Sequence, residues 1–156
     1  MIWVCPDPSV LAKYPAGTPD RTLLAVTATC EARGAPPTDD IAVMHVILNR
    51  RRRKGRFPNS VRGVVFQRWQ FSCFATNDPN LKVALDPERF ALTAYRRCLD
   101  MADGVLAGTI VDPTRGADHY CTEGYYRNPL LCPRWAKGRG VTSVLIRPHR
   151  FFRGVT

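Results

Sequence analysis

Leu24, Ala28 and Glu31 recur at i, i+4 and i+7 within "TLLAVTATCEARG", the spacing that stacks side chains on one helix face. Two of the three are apolar, so the third places a carboxyl on a core-like stripe. Glu31 also falls near the end of the expected helix. Burial and the partial negative charge of a helix C-terminus both disfavour ionisation, so both raise its proton affinity. A carboxyl protonated near neutral pH can donate to a leaving oxygen. The competing reading is a structural acid paired with Arg33 or Arg50, which the helix pattern alone leaves open.

The elements that must position Glu31 can be traced along the chain. Residues 1–20 read as irregular and Pro-rich. Asp20 is the expected cap of a helix from about Arg21 to Arg33, stopped by Gly34. Pro36 and Pro37 form a connector, and a second helix is expected from Asp39 to Lys54. Its acids Asp39 and Asp40 and its basic end suit the helix dipole. A short helix is expected near Ser60–Gln67, a loop over "ATNDPNLKVALD", and a long helix from Asp86–Pro87 to Ala107, closed by Gly108. β-like runs near Ala117–Cys121 and Val141–Phe152 follow in a stretch rich in Gly, Pro and aromatics. The expected fold class is α+β, mostly helical, with a small C-terminal strand and loop lobe.

The 156 residues fit one domain spanning 1–156. At that size folding hides roughly 68–70% of the chain's surface, enough for a core without disulfides. No apolar run reaches the ~18 residues of a membrane span. "MIWVCPDPSVLAKYPAG" lacks a basic n-region followed by a long apolar stretch, so no signal peptide is expected. The net charge of +10 favours polyanions: nucleic acid, envelope phosphates or a carboxylate-bearing wall.

Six cysteines occur and none forms a CxxC pair, which disfavours a zinc knuckle. Cys30 and Cys98 read as buried thiols. Cys121 and Cys132 bracket a loop and are a candidate disulfide. His119 and His149 have no third ligand at metal-site spacing, so neither a metal nor another cofactor is expected. Asn49 lies i+7 from Ala42 and i+3 from Val46, so its amide faces inward, either orienting Glu31 or capping nearby backbone. Phe71 and Ser72 suit sugar stacking and hydrogen bonding, with core packing an equal alternative for Phe71. Tyr120 is the better cleft residue, since its hydroxyl can meet a sugar or Glu31 while its ring packs.

Taken in order, "TLLAVTATCEARGAPPTDDIAVMHVILNR", "FPNSVRGVVFQRWQFSC", "GADHYC", "RWAK" and "HRFF" resemble the SleB-type cell wall hydrolase family over about residues 22–152. The resemblance implies peptidoglycan glycan-strand cleavage at the MurNAc-GlcNAc bond on a lysozyme-like scaffold, with Glu31 as general acid. Two departures stand out: Ala35-Pro36-Pro37 after the "EARG" motif, and Asp118 before His119. Glycoside hydrolysis ordinarily uses two carboxyl groups. A lytic transglycosylase needs one, because the muramoyl 6-hydroxyl attacks in place of water. That mechanism is expected, with a water-using muramidase employing Asp118 as the alternative. Asn49, Phe71, Ser72, His119 and Tyr120 are the expected substrate contacts.

Arg50, Arg51, Arg52, Arg53 and Lys54 would then hold the protein to the anionic envelope surface. The rival class, a basic nucleic-acid binder, rests on the same run, but no aromatic interleaving or known motif accompanies it. A cysteine peptidase would need a thiol such as Cys121 beside His149, and no motif supports that. The expected biology is that of a monomeric phage endolysin. It would be stored in the host cytoplasm and reach the periplasm and cell wall once a separate pore opens the inner membrane.

Overall fold

The computed structural model describes residues 5–156. α2 (Asp20–Ala32) and α3 (Pro37–Arg52) form its centre. Every residue of α2 from Leu23 to Cys30 is buried, as is every residue of α3 from Ala42 to Arg50. A helix apolar all round belongs in a core, so Glu31 leaves an interior helix and not a one-sided stripe. The hydroxyls of Thr27 and Thr29 are satisfied within α2, donating to Leu23 O at 2.7 Å and Ala25 O at 2.8 Å. Each of the two helices starts at a proline cap, and Asp20 lies in the first turn of α2, one residue past its expected place.

The expected irregular N-terminus contains a helix, α1 (Pro8–Lys13), which Asp7 caps by accepting from Ser9 N at 2.9 Å. Val10 is fully buried there. The Tyr14 hydroxyl donates to Ala84 O at 2.7 Å, fastening α1 to α5 (Leu81–Leu85). α5 corrects the loop expected over "ATNDPNLKVALD": Val83 and Ala84 are fully buried, and that burial stabilises a turn of helix beyond what Asn and Pro suggest. α4 (Val61–Val65) is capped by Ser60. α6 (Pro87–Ala107) packs along α2, is capped by Asp86 and ends at Gly108 with φ 74°.

The C-terminal part is a three-stranded antiparallel sheet in the order β1-β3-β2, built from β1 (His119–Thr122), β2 (Thr142–Ile146) and β3 (His149–Arg153). The run expected at Val141–Phe152 is thus a hairpin turning at Arg147–Pro148, whose peptide bond is cis. Between β1 and β2 lie α7 (Glu123–Arg127) and a 3-10 turn at Arg134–Lys137. A second small core of Ala136, Phe152 and Val155, joined by Tyr126 and Trp135, fixes this lobe. Among the described residues no helix is long and apolar enough to cross a membrane.

Candidate active site

Glu31 is the penultimate residue of α2 and is half-buried. It lines a groove of about 450 Å³ formed by residues 31–36 and by Arg147 and Pro148 of the β2–β3 turn. The Tyr120 hydroxyl donates to Glu31 Oε2 at 2.7 Å. Cys73 hydrogen-bonds the same carboxyl. Burial raises the proton affinity of Glu31, while Tyr120, Cys73 and the charge of His149 draw it back; the net shift is upward. Arg33 instead donates to Asn80 Oδ1 at 3.1 Å and Arg50 to Asp118 O at 2.7 Å, so the carboxyl keeps Tyr120 and Cys73 as its partners.

Three elements converge behind that contact. Tyr120 lies on β1 opposite Phe151 of β3. Its ring meets His149 edge-on at 5.3 Å. His149 opens β3 and its Nδ1 lies 2.8 Å from Asp39 Oδ2 in the first turn of α3. Asp39 is fully buried, and its other oxygen has no partner. Asp39, a mere helix-dipole acid by sequence, therefore ties α3 to the sheet behind the groove. No local pattern announces a pair 110 residues apart.

Burial holds the Tyr120 hydroxyl far above its ordinary range, so it stays protonated and donating. Because this bond lowers the proton affinity of Glu31, Tyr120→Phe raises it further. We expect the alkaline limb of the pH–rate profile to move to higher pH. The maximal rate should fall about tenfold, the worth of one hydrogen bond of ~1.4 kcal/mol. Profiles of the two proteins side by side check this, and an unmoved limb separates Tyr120 from the proton on Glu31.

Several expected site residues do other work. Asp118 is fully buried; its carboxylate meets the Arg53 guanidinium and lies 2.7 Å from His119 Nδ1. So enclosed, it cannot serve as the second catalytic carboxylate. His119 packs between Trp135 at 4.9 Å and Phe57 at 6.1 Å. Burial and the charges of Arg50, Arg56 and Arg53 lower its pKa to about 4, leaving a neutral ring packed between the two aromatics. The Asn49 amide donates to Asp112 Oδ2 and Ala117 O, each at 2.9 Å, so it pins the strap before β1 and does not orient Glu31. Phe71 is core, 3 % exposed. Ser72 alone among these is exposed, directly before Cys73.

The basic run is divided: its first member is interior, Arg51 and Arg53 are partly exposed, and Arg52 and Lys54 are exposed. Arg50 is buried, with its guanidinium 5.5 Å from the Phe57 ring centre and 5.4 Å from that of Phe71. Arg51 reaches Asp20 at 3.3 Å, and Arg53 holds Asp118. Lys54 remains at the surface. Arg50 is therefore withdrawn from the expected cationic face, and Arg51 and Arg53 reach it already paired with Asp20 and Asp118. Cys121 and Cys132 carry free thiols, packed in the same small core without a bond. Among the described residues no group of three or more His, Cys, Asp or Glu is gathered to hold a metal.

Residues 34–152 match the family model described as Cell Wall Hydrolase, a match that begins three residues past Glu31. A spore cortex-lytic enzyme of Halalkalibacterium halodurans is 35% identical over 108 residues, covering 68% of this chain and 28% of that relative. Its Bacillus subtilis counterpart is 32% identical over 128 residues, covering 81% of this chain and 37% of that relative. The chain thus spans well under half the length of either. Among solved structures, the catalytic domain of the germination-specific lytic transglycosylase SleB from Bacillus anthracis matches with TM-score 0.55 and 26% identity, over 89% of this chain and 99% of that one. The catalytic domain of the Bacillus cereus SleB protein matches with TM-score 0.50 and 26% identity, over 90% of this chain and 96% of that one.

Proposed function

Because the chain belongs to the cell wall hydrolase family, we propose that it cuts the glycan strands of peptidoglycan as a lytic transglycosylase with Glu31 as its acid. One observation carries the reading: a half-buried carboxyl of raised proton affinity lines a groove, held by the Tyr120 hydroxyl. In the first half-reaction Glu31 gives its proton to the glycosidic oxygen as the bond to the muramoyl C1 breaks. The resulting carboxylate then takes the proton of the muramoyl 6-hydroxyl as that oxygen closes on C1. The enzyme returns to its starting state and the product ends in a 1,6-anhydro ring. No second carboxylate is needed, which suits a site where Asp118 is sealed away.

Mass spectrometry of the muropeptides released from purified peptidoglycan tests the proposal. Anhydro ends are expected. Products one water heavier would replace the intramolecular attack with hydrolysis and require a base other than Glu31 to activate the water. The wider biology we propose is that of a monomeric endolysin, stored in the cytoplasm and released to the wall; the +10 charge would draw it to the anionic envelope.

A further inference from the structure

The excursion between β1 and β2 presents a surface whose depression shares no lining residue with the groove of Glu31. Its sequence, "GYYRNPLLCPRWAKGRG" over residues 124–140, holds Arg127, Arg134, Lys137 and Arg139 and no acid. Its tip is aliphatic: Leu130 is 93 % exposed and Leu131 52 %. A tight turn presents the pair, since Asn128 accepts from Leu130 N at 2.9 Å through its side chain and from Cys132 N at 2.8 Å through its carbonyl. Below the tip lies a depression of about 460 Å³ rimmed by Arg127, Arg134 and Lys137 and floored by Tyr126, Pro129 and Cys132. The base is anchored, with Tyr126 and Trp135 packed on Phe152 at 5.5 and 5.2 Å. Glu123 sits at the edge, its single negative charge shared by Arg127 and Arg150.

From this arrangement we infer that the tip docks on an anionic phospholipid surface. Leu130 and Leu131 enter the boundary of the hydrocarbon, and Arg127, Arg134 and Lys137 receive the phosphates around them. Charge complementarity fits any polyanion, and the leucines decide among them. Sugar rings stack on aromatic faces, and stem-peptide carboxylates need only the cations. Two neighbouring aliphatic side chains gain from neither, whereas a bilayer offers apolar volume behind a layer of phosphate. Such a contact would hold the enzyme at a membrane bordering the wall. The inference stands apart from the chemistry of Glu31.

Co-sedimentation of the full chain with vesicles of phosphatidylcholine, alone or mixed with phosphatidylglycerol, tests it. Binding is expected only with the anionic lipid and should weaken with salt. Leu130→Ser with Leu131→Ser, and separately Arg134→Glu with Lys137→Glu, should each weaken it roughly tenfold or more. Circular dichroism and the rate on lipid-free peptidoglycan should stay at wild-type values in both, since all four side chains are exposed. Absent binding, equal binding to neutral vesicles, or variants that bind like the parent overturn the inference. If the variants keep vesicle binding but lose pelleting with lipid-free peptidoglycan, the tip grips the wall instead. Loss of glycan cleavage beside intact vesicle binding would overturn only the catalytic reading.

Discussion

Glu31→Gln is expected to abolish glycan cleavage while leaving the protein folded. The amide keeps the shape of the acid and can still accept from Tyr120, but it has no proton to give. Loss of a general acid costs about 10²–10⁴ in rate, and here the same group must also act as base. We expect the upper end of that range. The melting temperature should not fall, because the substitution removes a carboxyl whose ionised form burial disfavours. The sign of the pH dependence follows from the same burial. A proton affinity raised in the fold keeps Glu31 acidic above the ordinary carboxyl range, so cleavage should persist there and decline only as pH rises through the raised value. Release of soluble muropeptides from purified peptidoglycan measures both effects. Wild-type rates in Glu31→Gln would remove the residue from the mechanism and leave the groove without its acid.

Glu31 was legible because helix periodicity is local: Leu24, Ala28 and Glu31 share a face on spacing alone. Gly34 and Gly108 punctuated their helices for equally local reasons, with φ of 91° and 74° that other residues resist. Tyr120 could be singled out because its hydroxyl and ring suit a cleft, with a sugar or Glu31 as the expected partner; the pairing of β1 with β3 brings it to Glu31. Tertiary contacts explain the rest. Asn49 faces inward as its spacing suggests, yet it serves a strap that arrives from residues 112–117. Arg50 reads as the first of a solvated cationic run, but the aromatic rings of Phe57 and Phe71 and the carbonyl of Asp118 draw it indoors. Asp118 reads as a candidate second carboxylate until Arg53 and His119 enclose its side chain. In each case the residue type was visible and the neighbour was not.

The partner of Asp39 was the least visible of all, and it gives the largest expected effect on stability. Replacing His149 by Ala leaves Asp39 fully buried, with one oxygen already unpartnered and the other newly so. Breaking a buried pair from one side costs about 3–5 kcal/mol. For a domain of this size, at roughly 2–4 °C per kcal/mol, the melting temperature should drop about 6–20 °C. Part of that loss comes from the cavity left where His149 packs against Tyr120 and Phe151. Asp39→Asn separates the terms. Added to His149→Ala, it removes the uncompensated charge but not the cavity, so it should restore about 1–3 kcal/mol, the range of coupling between residues in contact. Catalysis should respond in the same proteins. His149 buttresses the ring that donates to Glu31, and its charge lowers the proton affinity of that acid. Its loss should therefore move the alkaline limb of the pH–rate profile upward, in the same direction as Tyr120→Phe. Thermal melts across the four-protein cycle, paired with pH–rate profiles, distinguish the outcomes. Additive stabilities would mean that Asp39 and His149 pack independently, and an unmoved limb would confine the pair to holding the sheet against α3.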